Sequence, residues 1–198
     1  IVHVAEKENI LFLQKDQKMQ TQKDVEILLQ VKNILSNGQI DKGNVDNVLE
    51  IINELKHQQL WMHDVSIDDL LEYFEALSEY WKTDESFKKK IGHSLEHITG
   101  FISKKNLKKE LSVSLRGNYK ILDTFVQLSG DESKLYHVQP RGLTVHWIAG
   151  NVAILGIFSI VQALISKNVC LVKVPHDYAV LRDIIYSMKN VNTKKIKG

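Results

Sequence analysis

Cysteine is nearly missing from this chain. Cys170 stands alone among 198 residues, which excludes a disulfide framework and any cysteine-rich zinc site. Proline is scarce, and its two copies, Pro140 and Pro175, fall in the last third. Nothing before residue 140 is therefore barred from helices by a missing backbone donor. A secretory leader is not legible either, because Glu6, Lys7 and Glu8 interrupt the first apolar residues before an h-region can form. The lone thiol and the missing leader fit a reducing, cytoplasmic setting. The chain begins at Ile1 and stops at Lys197-Gly198, ends that read as cut.

What is present is ordinary in bulk and divided in detail. Hydrophobic residues at 43% and charged residues at 25% exclude a disordered or collagen-like chain. The net charge of +2 points to no polyanionic partner. It hides a split, however. Residues 140–198 carry eight Lys/Arg against two Asp/Glu, leaving the first 139 with 18 against 22. Two unlike pieces are joined: a mainly helical region over 1–139 and the first part of an α/β domain over 140–198.

Within the first piece, residues 3–13 suit a strand or two. Apolar spacing predicts helices over Asp24–Leu35 and Val45–Leu55. The best-signalled helix opens at Ser66, with Asp69 three residues on as an acidic form of the capping box. Its stripe runs through Ile67, Leu70, Leu71, Phe74, Leu77 and Trp81. A further helix is expected after Asp84, aligning Phe87, Ile91, Leu95, Ile98 and Ile102. Two shorter ones are expected over Leu107–Leu115 and Tyr119–Leu128, broken at Gly117 and Gly130.

After Pro140 the pattern becomes a short apolar run at Leu143–Ile148, a helix-length stretch at Val152–Ser166, and a β-branched run at Val169–Val174. That order is the strand–helix–strand unit of a parallel sheet. Asp177–Lys189 offers a following helix. No Lys, Arg, Asp or Glu lies between Arg141 and Lys167, and 25 uncharged residues are enough to span a bilayer, which needs about 20. Against a membrane span stand His146, Asn151, Gln162 and the Gly150-Asn151 turn signal. A buried α/β unit also reads as continuous apolar sequence.

Few residues suggest chemistry. Asn151 follows one expected strand and precedes a helix, where ligands sit in parallel α/β sheets. Its carboxamide can donate to an oxyanion, or simply cap the helix. Lys173 closes a strand, where it can meet a sugar hydroxyl or phosphate, or carry its charge out to water over a packed stem. Cys170 reads as a small buried hydrophobe with no base beside it. His93 and His97 share a helix face but lack a third ligand. The lysine runs at 88–90 and 104–109 carry no interleaved aromatics and read as solvated faces, so no metal and no nucleic acid is expected.

The stretch Pro140-Arg-Gly-Leu-Thr-Val-His-Trp-Ile-Ala-Gly-Asn151, continued by Val152, Leu155, Gly156, Ser159, Ala163, Lys167, Asn168 and Lys173, resembles the LuxC-like acyl-CoA reductases of the aldehyde dehydrogenase superfamily. The pattern is P-x-G-x-x-V-H-x-x-A-G-N-V, then L-G-x-x-S-x-x-x-A-x-x-x-K-N-x-x-x-x-K. Ser66–Lys82 and Leu111–Phe125, with Leu115-Arg116 and Ile121-Leu122-Asp123, look similar too.

The resemblance implies a Rossmann-like parallel sheet of the aldehyde dehydrogenase type, here truncated. It implies NADPH-dependent reduction of a long-chain acyl-CoA or acyl-protein thioester to a fatty aldehyde through a cysteine thioester. An acyl-protein synthetase as partner and a homo-oligomer at full length are further implications. Asn151 matches the asparagine that holds the carbonyl oxygen, and Lys173 the lysine at the adenosine ribose. Related enzymes often continue as Lys-Pro-Ser-Glu, whereas this chain reads Lys173-Val174-Pro175-His176. A missing glutamate removes an anion that would repel a 2′-phosphate and places His176 beside it. The family's nucleophilic cysteine, its later glutamate and its second glycine motif find no match here, and Ala153 stands where proline is common. Alone, this polypeptide is not expected to turn over substrate. The competing reading is a non-catalytic helical interaction module.

Overall fold

The computed structural model describes residues 2–6, 10–12, 42–148, 153–174 and 179–196. The helix expected over Asp24–Leu35 lies outside them. Two short strands, β1 (Val2–Glu6) and β2 (Ile10–Phe12), precede five helices. These are α1 (Lys42–Asp64), α2 (Ile67–Thr83), α3 (Glu85–Ile91), α4 (Ser94–Ile102) and α5 (Lys104–Ser114). A hairpin follows, β3 (Val126–Leu128) and β4 (Asp131–Tyr136), and then β5 (Leu143–Trp147), α6 (Ala153–Ile165), β6 (Val169–Val174) and α7 (Ala179–Ser187).

The signal at Ser66 is realised in full. Ser66 Oγ accepts from the Asp69 amide at 3.1 Å, and the Asp69 carboxylate accepts from the Ser66 amide at 3.3 Å, so two orphan donors of the first turn are satisfied reciprocally. The stripe of α2 is buried, with Ile67, Leu71, Phe74, Leu77 and Trp81 wholly covered. Trp81 stacks on Phe87 with ring centroids 5.8 Å apart. Its indole N–H donates to Ser187 Oγ at 2.7 Å, and Tyr73 donates to the Met188 carbonyl at 2.6 Å. The helical region and the last helix thus share one core.

Two expectations are corrected. The single helix after Asp84 is two helices, because Gly92 takes φ +60°, ψ −139° and turns the chain between α3 and α4. A left-handed residue ends a helix even where the apolar spacing runs on, and glycine reaches it without a Cβ clash. The expected helix over Tyr119–Leu128 is a 3-10 turn at Tyr119–Leu122 followed by β3, which pairs antiparallel with β4. Asn118 accepts from the Lys120 amide to start the turn, and Gly130 at φ +85° closes the hairpin.

The strand–helix–strand unit is present. β5 and β6 run parallel, in register Leu143↔Val169 through Trp147↔Lys173, and α6 connects them. β1 pairs parallel with the other side of β6 and antiparallel with β2, giving the order β2-β1-β6-β5. This is a mixed α/β fold, mostly helical with small sheets. The charge-free run divides into a strand and a helix that packs on it and on the helical region, with Phe158 of α6 meeting Phe101 of α4 at 4.2 Å between centroids. A Cβ added at Gly156 would lie 3.0 Å from Ile148, so glycine lets α6 seat closely on the chain leaving β5. Among the described residues no helix is long and apolar enough to cross a membrane.

Candidate functional site

In a parallel sheet, side chains that are cross-strand partners point to the same face, and successive residues alternate between faces. Thr144 and His146 of β5, with Cys170 and Val172 of β6, therefore form one face. His146 Nδ1 lies 2.8 Å from Ser159 Oγ, which places α6 over it. His146 Nε2 lies 3.1 Å from Thr144 Oγ1, which also reaches the Val169 carbonyl at 3.1 Å and Cys170 Sγ at 3.5 Å.

A hydroxyl has one proton to give. Donation by Thr144 to the Val169 carbonyl leaves its oxygen to accept from His146 Nε2–H, and Nδ1 then accepts from Ser159. A neutral imidazole satisfies this arrangement, and burial pushes the His146 pKa below its ordinary value. Burial also pushes the Cys170 thiol up. Cys170 is thus a covered, protonated thiol rather than a nucleophile.

This arrangement predicts an acid-side loss of stability. The unfolded chain takes up a proton at His146 near the ordinary value of 6.5, before the folded chain does. The contribution is complete above that value and falls as the pH drops from it toward the lowered folded pKa. Urea midpoints measured from about pH 7.5 to about pH 5 should decline, and His146→Leu should flatten that decline. An identical pH profile in the variant would mean that the imidazole is not held neutral.

The C-terminus of α6 carries the least expected feature. The Lys167 amide donates to Leu164 O and the Asn168 amide to Ala163 O, a Schellman ending in which Lys167 occupies the left-handed position at φ +62°. Glycine is the usual residue there. Lysine is held because its side chain, 3% exposed, reaches Asp123 at 2.7 Å. The same Asp123 oxygen accepts from the Ile67 amide at 2.8 Å, at the start of α2. Asn168 accepts from the Gly142 amide and donates to Ser166 Oγ, and Gln59 of α1 donates to Lys167 O and accepts from the Val169 amide. The Lys167-Asn168 pair of the sequence pattern therefore locks the start of β6 to both neighbouring layers. No sequence signal linked it to Asp123.

Of the expected site residues, Asn151 and His176 lie outside the described residues. The backbone of Lys173 is described and stands at the C-terminal end of β6 opposite Trp147, the end of β5. A separate open cleft of about 650 Å³ lies among α2, α3 and α4, lined by Lys82, Lys88, His93, Glu96 and Thr99. Its lysines pair with Glu79 and Glu85.

The fold and this sheet end define a mixed α/β protein built on a parallel crossover. The family model described as Acyl-CoA reductase (LuxC) matches residues 40–197, and the chain belongs to that family. It is 28% identical over 148 residues to a long-chain acyl-protein thioester reductase of Photorhabdus luminescens, covering 73% of this chain and 28% of that protein. It is 26% identical over 146 residues to the protein of that name from Photorhabdus laumondii, covering 66% and 29%. A protein of the same name from Aliivibrio fischeri is 49% identical over 35 residues, which is 18% of this chain and 7% of that protein. The chain thus spans little more than a quarter of the first two relatives. No solved structure matches it.

Proposed function

We propose that this chain is the N-terminal portion of a reductase that converts a long-chain acyl thioester, carried on CoA or on a protein, to a fatty aldehyde using NADPH. The supporting observation is membership of the acyl-CoA reductase family over residues 40–197, joined to a parallel crossover in which Trp147, the last residue of β5, pairs with Lys173, one residue before the end of β6. Ligands of open parallel sheets bind beyond the carboxyl ends of the strands. The eight Lys/Arg against two Asp/Glu in residues 140–198 suit a phosphate-bearing cofactor.

On this reading the acyl group passes from its carrier thiol to a cysteine outside this chain, and Asn151 donates to the oxyanion that develops on the carbonyl. NADPH, when bound, supplies the hydride. Lys173 holds the adenosine ribose, and His176 stands where a carboxylate would repel the 2′-phosphate. An acyl-protein synthetase supplies the substrate, the full-length enzyme is a homo-oligomer, and the setting is cytoplasmic.

The direct test is NADPH oxidation by the full-length protein with a long-chain acyl-CoA, and no oxidation with any acyl thioester would sink the proposal. Lys173→Ala should raise the KM for NADPH about tenfold or more, as for the loss of a charge-assisted hydrogen bond. His176→Glu should shift preference toward NADH. An unchanged NADPH/NADH ratio would remove His176 from the site and leave Lys173 as the cofactor residue.

A further inference from the structure

The helical region carries a row of cations with no partners of their own. On α5, Lys105, Lys109 and Val113 follow one another at four-residue spacing, so they stand in line on one helix face over about 12 Å. All three are exposed, Val113 by 76%. Arg116, also exposed, comes one residue after Leu115, which closes the helix. Among the described residues, Lys105, Lys109 and Arg116 have no hydrogen-bond or ion-pair partner. By contrast Lys82, Lys88, Lys90, Lys104 and Lys120 each meet a carboxylate. The one acid of α5, Glu110, is turned about 100° from Lys109.

Helix energetics do not account for this row. The first turn of α5 holds Lys104 and Lys105 and no acid, whereas a helix N-terminus favours acids. Glu72 relieves Lys104, and no described carboxylate relieves Lys105. Lys105 and Lys109 repel as a like-charge pair at i, i+4. Arg116 takes a left-handed φ of +52°, as Lys167 takes +62°, but it has no buried carboxylate to hold it there. A further part of the polypeptide could not close over this face without burying unpaired cations, so the face stays at the surface of a longer chain.

We propose that the face of α5 formed by Lys105, Lys109 and Val113, with Arg116 at its end, is where the protein that carries the acyl thioester docks through an acidic surface. This rests on the reductase reading, with the acyl group arriving on a protein. Charge complementarity defines the occupant, which sets carboxylates against the three cations and a small apolar side chain against Val113. No aromatic residue lies between Lys105 and Arg116 to stack a nucleic-acid base.

The test uses the full-length protein and its Lys105→Glu/Lys109→Glu/Arg116→Glu variant. Binding of a long-chain-acylated acyl-protein synthetase is read by sedimentation equilibrium, which requires no turnover and so is separable from the reductase assay. Affinity should fall tenfold or more in the variant. The parent's affinity should also weaken as salt rises from about 50 to about 300 mM, while the variant's stays flat. The urea midpoint should be unchanged or higher in the variant, because the substitutions relieve the repulsion and place an acid in the first turn. The corresponding triple glutamine variant should show a smaller loss of affinity in the same direction. NADPH oxidation with acyl-CoA should be equal in parent and variant. Equal affinity of the two for the synthetase, or binding by neither, would overturn the proposal, and anionic phospholipid vesicles bound by the parent alone would then make a membrane the occupant. An equal loss with acyl-CoA would also overturn it, by placing the row at the catalytic end.

Discussion

Asn151→Ala in the full-length protein should lower the rate of acyl transfer and reduction by on the order of a hundredfold, the usual consequence of losing one oxyanion donor. NADPH binding should survive, because in the proposed role the asparagine meets the reacting carbonyl and not the cofactor's adenosine end. Asn151 stands two residues before Ala153, the first residue of α6, so the competing role is a helix cap. The two roles separate cleanly. A lost cap costs about 1 kcal/mol of stability and leaves the chemistry intact, whereas a lost oxyanion donor lowers turnover in a protein of normal stability. Steady-state kinetics and urea denaturation on the same preparation distinguish them. Near wild-type turnover in a folded variant would establish the cap.

Asp123→Ala should cost about 3–5 kcal/mol, because it strands a buried ammonium. Lys167 is 3% exposed and loses its carboxylate at 2.7 Å, and the Ile67 amide loses its acceptor at the first turn of α2. Lys167→Met should cost less. Asp123 is 17% exposed and retains the Ile67 amide and, at 3.5 Å, Lys120, while methionine keeps an apolar stem in the space the lysine filled. The double variant should recover part of the Asp123→Ala loss, since replacing a buried pair by apolar groups is often close to neutral. Urea denaturation of the three variants gives the coupling between the two residues. A loss below about 1 kcal/mol for Asp123→Ala would mean that the ammonium reaches water and the pair does not join the layers.

The elements legible in the sequence are those whose signals lie within a few residues. Ser66 and Asp69 are three apart and specify a helix start by their own hydrogen bonds. β5, α6 and β6 are legible because apolar runs of strand and helix length alternate with turn residues. The family was legible in the same stretch, because its fixed spacings serve this local architecture: Gly156 seats α6 near Ile148, and Lys167-Asn168 close its end. The division at Gly92 was not legible, since Phe87, Ile91, Leu95, Ile98 and Ile102 keep a helical spacing across it. The hairpin was missed because the pairing of Val126 with Tyr136 is a relation between strands.

By itself the sequence determined the capping box at Ser66, the βαβ order after Pro140 and the resemblance to acyl-CoA reductases. Each rests on hydrogen bonding or apolar spacing among near neighbours. Only the tertiary structure decided that Lys167 would be a buried lysine in a glycine's conformation. Its partner Asp123 is brought to it by the packing of α2 against the α/β unit, and not by any local rule. The same packing joins Trp81 to Ser187, 106 residues away, while the seating of α6 on β5 brings Ser159 to His146. Burial and long-range pairing follow from where the chain returns, and a linear pattern of residues carries no measure of that distance.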